Sequence, residues 1–268
     1  MASVTRRATE AKGTFRRCAA GALVLVGSLA AAASPSWRTA PELRPNSNTT
    51  SAGVLHNGVL TIALEATTSL WRFSDAHAPM SLAAFSEVGK EPLMPGPFVR
   101  VPVGTELRLT IRNSLDRPLT FSVPEALHGG PDQIKAMDSL VIAPGAVESL
   151  SVRATVPGGY VYRGAIPDGA TKISHLAGAL AGTIVVDSAG APARPTEHVF
   201  VIMATEDAPS SACDDTTTGP NPLAECKGRR FMYTINGVEW PATPRMHATV
   251  GDSLHWRVIN GSAQVHPM

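Results

Sequence analysis

The stretch Glu106-Leu107-Arg108-Leu109-Thr110-Ile111-Arg112-Asn113 constrains the fold more than any other part of the chain. Apolar and polar side chains alternate through it without a break, with Leu107, Leu109 and Ile111 on one side and Glu106, Arg108, Thr110 and Arg112 on the other. A period of two places successive side chains on opposite faces of an extended backbone, so the stretch buries its apolar set only as a strand. Val103-Gly104-Thr105 turns into it, and the run from Asn113 to Pro118 turns out of it. The same pattern recurs at Val59 to Ala66, where Leu60, Ile62, Leu64 and Ala66 share the inward face. Shorter strands are expected at Phe98–Pro102, Leu119–Val123, Ser139–Ala143, Val147–Ala154, Tyr160–Tyr162 and Leu180–Asp187, with Ser81–Glu91 readable as strand or helical turn. Pro95-Gly96-Pro97, Pro144-Gly145 and Pro157-Gly158-Gly159 separate them. With 23 glycines, 22 prolines and no sustained amphipathic helix, this is the pattern of an all-β chain, a Greek-key β-sandwich.

Hydrophobic residues make up 44% and charged residues 17% of the 268, a globular rather than a disordered balance. A net charge of +1, with no basic stripe interleaved with aromatics, gives no reason to expect a nucleic-acid partner. The N-terminus has the grammar of an export signal: Arg6, Arg7, Lys12, Arg16 and Arg17, then an apolar run from Cys18 to Ala33, then small residues before Ser34-Pro35. Residues 1–33 are therefore expected to be a signal peptide or N-terminal anchor, and the protein to be periplasmic or extracellular. Residues 34–53, rich in Pro, Ser, Asn and Thr, are expected to form a flexible linker. Cys213 and Cys226 flank a polar Gly/Pro/Thr segment, and in an exported chain they are most simply a disulfide, a metal role being the sharper reading that lacks a neighbouring His. Gly-x-Ser-x-Gly, phosphate-loop and His-Glu-x-x-His motifs are absent.

Near the C-terminus, Val250-Gly251-Asp252 turns into a second alternating run, with Leu254, Trp256 and Val258 on one face and His255, Arg257 and Ile259 on the other, His255's face being read as the outward one. After Asn260-Gly261 come Gln264-Val265-His266-Pro267-Met268. The whole stretch, FMYTINGVEWP through VGDSLHWRVIN to HPM, resembles the entry to a copper-binding domain of the multicopper oxidases. In that family the next residues would be His-Leu-His-Gly, and the resemblance assigns His266 to a mononuclear (type 1) copper. PGPFVRVPVGTELRLTIRN resembles the opening of a cupredoxin domain, and VPGGYVY with LAGALAGTIVV its close. EHVFVIM resembles the first strand of the next such domain. The implied organisation is one complete cupredoxin-like domain over 54–190 and an incomplete second one over 191–268.

The family's first domain carries two further histidine motifs, and here both are altered. Asn113, Leu115 and Pro118 match the first, but its His-x-His places fall on Ser122, Val123 and Pro124. Gly159, Tyr160 and Tyr162 match the second, after which Arg163 and Ala165 stand where histidines belong. A guanidinium offers no lone pair, so Arg163 excludes a metal ion at its position. His128 is either a displaced ligand or a loop histidine, and His175, which follows the second motif, is a weak candidate to reach back into the site. His56, His77, His198, His247 and His255 are expected at the surface. The resemblance implies the N-terminal portion of an exported laccase-like oxidase, which in complete form couples copper-dependent oxidation of a small reducing substrate to dioxygen reduction. The portion itself is expected to be inactive, and assembly into homo-oligomers is open to it. Two other readings stand beside it: a copper-free cupredoxin-fold binding or assembly module, and a copper carrier using Met80, Met94 and Met137, which read more simply as fillers of apolar gaps.

Overall fold

The computed structural model describes residues 40–72, 79–127, 137–166, 179–191, 197–206, 231–262 and 265–266. The strands are, in chain order, β1 (Glu42–Pro45), β2 (Val54–His56), β3 (Val59–Trp71), β4 (Met80–Glu87), β5 (Leu93–Met94), β6 (Gly96–Pro102), β7 (Glu106–Asn113) and β8 (Leu119–Pro124). They continue with β9 (Met137–Ile142), β10 (Val147–Arg153), β11 (Gly158–Ala165), β12 (Ala181–Asp187), β13 (Glu197–Glu206), β14 (Phe231–Ile235) and β15 (His255–Asn260). Three sheets result among the described residues. The first runs β10-β7-β3-β1-β5, with β2 and β4 also paired to β3; the second runs β6-β12-β11-β8-β9; the third runs β14-β13-β15. The all-β expectation holds.

The first two sheets close a sandwich. Leu60, Ile62 and Leu64 of β3 and Leu107, Leu109 and Ile111 of β7, the residues that alternation singled out, are buried against Val99, Phe121, Tyr162, Ile184 and Val186 from the second sheet. Phe85, Phe121 and Tyr162 meet at its centre with ring centroids 5.7–5.8 Å apart. Each such side chain taken out of water contributes about 1.5–3 kcal/mol. Gly182 and Gly164 are obligatory here: a Cβ on Gly182 would run into the Tyr162 ring, and one on Gly164 would lie 2.9 Å from Phe85.

A second core lies on the other side of the five-stranded sheet. Phe98, Val161, Ala181 and Val185 pack there against Val199, Val201, Met203, Met232 and Ile259 of the three-stranded sheet, together with Leu43, Trp71 and Met94. At β12 the second sheet is thus covered on both faces, which is why that strand reads Ala-Gly-Thr-Ile-Val-Val rather than alternating. Met94, fully buried, fills a gap in this core, as expected of a flexible thioether.

Three expectations need correction. The segment 34–53 does not read as a coreless linker in its described part: β1 pairs in parallel with both β3 and β5, and Leu43 is 3% exposed. A strand this short, bracketed by Pro41 and Pro45, is too brief to show a period, so nothing local betrayed it. β3 runs on past Ala66 to Trp71 because β4, itself a strand over most of the ambiguous 81–91 stretch, pairs with it through Trp71↔Met80. In β15 the faces are exchanged: Ile259 is 6% exposed and faces the core, whereas Trp256 is 57% exposed. Ile259 fits a hollow that Gly159 leaves open, since a Cβ on Gly159 would lie 3.0 Å from the isoleucine.

Candidate functional site

The three-stranded sheet is anchored by the Asn236-Gly237 turn that links β14 to Val238. Both residues have positive φ, 54° and 85°, the pairing an Asn-Gly turn supplies without strain. The Asn236 side chain is buried and bonded at both ends: Oδ1 accepts from Val201 N (2.8 Å) and Asn48 Nδ2 (2.9 Å), and Nδ2 donates to Val199 O (2.9 Å). Gly237 lies so close to Met94 O that no side chain fits, and its own carbonyl accepts from Trp71 Nε1 at 3.3 Å. One sequence motif therefore ties β3, β5, β13 and the segment that follows β1 together.

His266 sits beside β14. Its ring stands edge-on to Tyr233, centroids 5.5 Å apart, and it lines a cavity of about 620 Å³ with Ile202, Ile235, Val238 and Trp240. Nε2 is 2.7 Å from Ser262 Oγ, which in turn is 2.8 Å from Asn260 Oδ1. The amide oxygen only accepts, so the single hydroxyl proton goes to Asn260 and the serine oxygen accepts from His266 Nε2–H. That tautomer leaves the Nδ1 lone pair to bind a proton or a metal ion. One imidazole is not a copper centre: a mononuclear site of the expected kind also needs a thiolate and a second His. Among the described residues no three His, Cys, Asp or Glu side chains come together to hold a metal ion.

The two altered histidine motifs meet in space. β11 pairs antiparallel with β8 in the register Arg163↔Ser122, Gly164↔Phe121, Ala165↔Thr120. Phe121 and Tyr162 point into the sandwich, so Ser122 and Arg163 share the opposite face, turned toward β15. The scaffold brings together the places where the resemblance puts the cluster ligands, but Ser122, Pro124, Arg163 and Ala165 do not fit copper ions. They supply one hydroxyl, one fixed cation and no imidazole.

What they build instead is a polar cavity of about 410 Å³ lined by Pro124, Tyr160, Arg163, Arg257, Val258 and Asn260 among others. Arg163 Nη2 donates to Gly261 O at 2.9 Å. Burial alone pulls its pKa below the ordinary arginine value, with no carboxylate opposing the shift. Arg257, by contrast, ends a chain of ion pairs: Arg257 Nη2 lies 3.2 Å from Glu197 Oε1, Glu197 Oε2 lies 2.8 Å from Arg100 Nη1, and Arg100 Nε donates to Asp187 Oδ2 at 2.8 Å. The Glu197 side chain is 4% exposed, whereas Arg100, Asp187 and Arg257 stay 25%, 26% and 30% exposed, so the chain is buried at its middle carboxylate and half-buried elsewhere. The Arg100 pKa is raised, first by its bond to Asp187.

Of the residues singled out by sequence, His266 is placed as described, while His128, His175, Cys213 and Cys226 lie outside the described residues. His198 stacks on Phe200 with ring centroids 6.0 Å apart and lines, with His247 and Met246, a further cavity of about 250 Å³. Sequence reasoning identified Arg163 as a non-ligand but not as half of a cationic cavity. The unused signal was Arg257, on the same alternating strand as Asn260. No spacing rule pairs it with Arg163, which is why it passed unnoticed.

No family model matches the sequence, and no curated protein matches it either. Solved structures do share the fold. A multi-copper oxidase from Pseudomonas thermotolerans superposes with a TM-score of 0.52 at 19% identity, over 80% of this chain and 48% of that one. The blue copper oxidase from Nitrosomonas europaea gives 0.51 at 17% identity, over 82% and 62%, and the copper nitrite reductase from the same organism 0.52 at 21%, over 75% and 67%. The likeness is one of fold: cupredoxin-domain architecture at low sequence identity. The chain spans about half of the first of these proteins.

Proposed function

We propose that this chain is the N-terminal portion of an exported, laccase-like multicopper oxidase, whose complete form oxidises a small reducing substrate and passes the electrons to dioxygen. The observation that carries the reading is His266, held by Ser262 and Tyr233 in the tautomer that frees Nδ1 and set in a cavity walled by apolar side chains. Bound copper would supply the one-electron chemistry; this chain's share is one imidazole, its apolar surroundings and the scaffold beneath. Two further facts favour the reading: the shared fold, and the part-length cover of the multi-copper oxidase. The first sandwich, with Arg163 and Ser122 at the altered motifs, acts as scaffold and not as a cluster site.

The test is to express the gene product together with whatever sequence follows Met268, then measure copper content and the visible absorption of a copper–thiolate centre. The expected result is bound copper, with His266→Ala bleaching that absorption, and no oxidase turnover from residues 1–268 alone. A complete gene product that binds no copper overturns the reading. It would instead support a copper-free binding or assembly module, the alternative that the loss of imidazoles at Ser122, Arg163 and Ala165 favours.

A further inference from the structure

The cavity between β11 and β15 holds more positive charge than the protein neutralises. Two guanidinium groups, Arg163 and Arg257, line it; behind the wall Arg257 pairs with Glu197, which also pairs with Arg100, and Arg100 pairs with Asp187, so both carboxylates are engaged along the Arg100–Arg257 chain. Arg163 is the one left over. Among the described residues no carboxylate comes within 4 Å of it, and the bond of Nη2 to Gly261 O uses one of the five N–H groups a guanidinium carries. Arg257 is also incompletely used, because its Nε is buried with no acceptor. Arg163 is half-buried and lines the cavity, and an oxyanion accepting from its planar fork exchanges water there for a charge-assisted pair.

We propose that this cavity is a binding site for a small monocarboxylate, gripped by Arg163 through its free N–H groups and drawn in by the half-satisfied charge of Arg257. The class follows from the geometry and the charge. The excess is one positive charge, which suits a monoanion; a phosphate dianion would bring its second charge toward Glu197, already 3.2 Å from Arg257. Tyr160 and Val258 add apolar wall for the organic part of the ligand, and about 410 Å³ admits a molecule of roughly the size of benzoate. Tyr160 keeps its hydroxyl turned away, donating to Val156 O at 2.8 Å, so it presents its ring to the cavity. The site stands whether or not the complete protein binds copper, since none of these residues is a metal ligand.

The experiment is calorimetric titration of the full 268-residue chain with sodium benzoate, and separately with inorganic phosphate and chloride, in low-salt buffer. Saturable binding of one benzoate per chain is expected, in the region of a millimolar dissociation constant. Arg163→Gln is expected to weaken it about tenfold or more, as loss of a charge-assisted bond does. Arg163→Lys, which keeps the charge and loses the fork, should fall between the two, and Arg117→Gln, an exposed arginine on the turn after β7, should bind as the parent. Should Arg163→Gln fail to fold by circular dichroism, the Lys variant and competition by benzoate for protection of the Arg163 amide from exchange carry the same comparison. The proposal is overturned if benzoate gives no saturable heat, if Arg117→Gln weakens it as much as Arg163→Gln does, or if phosphate binds more tightly than benzoate.

Discussion

β12 and β13 are both central strands rich in branched apolar residues, yet they sit in different settings. β12 is buried on both faces, between the sandwich core and the second core. β13 is buried on the Val199, Val201, Met203 side, while Phe200 and Ile202 on its other side share a sheet face with Tyr233, Ile235, Trp256 and Val258, the last four all exposed. Hydrophobicity alone does not distinguish the two environments, because an apolar face reads the same in sequence whether or not something covers it. Small residues distinguish the settings: in β11, the neighbour of β12, Gly159 and Gly164 mark where Ile259 and Phe85 of other layers approach closely, and in β12 Gly182 makes room for the Tyr162 ring of β11, whereas β13 has no glycine.

The contrast can be broken by substitution. Phe85→Ala, which empties the centre of the sandwich, should cost about 3–5 kcal/mol in chemical denaturation; a much smaller loss would mean that the first core is no better packed than the open sheet. Asn236→Ala removes three buried hydrogen bonds and leaves Val201 N and Asn48 Nδ2 without their acceptor, for about 2–3 kcal/mol. Its sharper signature is local: amide exchange should accelerate in β13 and β14 and stay slow in β7, whereas uniform acceleration would show that the two cores are one cooperative unit. Trp256→Ala on the uncovered face should change stability by less than about 1 kcal/mol, and a loss as large as that of Phe85→Ala would show that this face is packed in solution.

The smallest expected effect is one of pH. Bonds from Arg108 and then Ser151 hold the Glu106 carboxyl below its ordinary value. Its folded pKa is depressed, so the stabilisation is complete above the unfolded value of about 4.3 and fades as pH falls through the folded value. Glu106→Gln should therefore flatten part of the acid-side loss of stability below about pH 4.3 in urea titrations, and unchanged slopes in parent and variant would remove the pair from the account.

The residues that alternate cleanly and lie in the sandwich were legible. Glu106–Asn113 is a strand with the ends and the faces that its period required, because one side meets the core and the other meets water. The register that puts Arg163 opposite Ser122 was not legible, since it depends on β8 and β11 being neighbours across a long sequence separation. For the same reason Asn48 and Asn236, 188 residues apart, gave no sign of their bond. β15 shows the limit of periodicity itself: a period of two identifies two faces but not which of them is covered, and the larger side chain, Trp256, was the wrong guide. At the candidate site, residue types told what cannot happen at Arg163, and only the pairing of strands told what stands beside it.

β1 carries one last consequence, for truncation. Its backbone is shared between β3 and β5, and the asparagines that follow it reach Asn236 through Asn48 and the Pro95 and Gly96 carbonyls through Asn46. An N-terminal truncation that keeps the sheet intact therefore ends ahead of Glu42. One that removes residues through Asn48 would strip out a shared strand and a side-chain latch together.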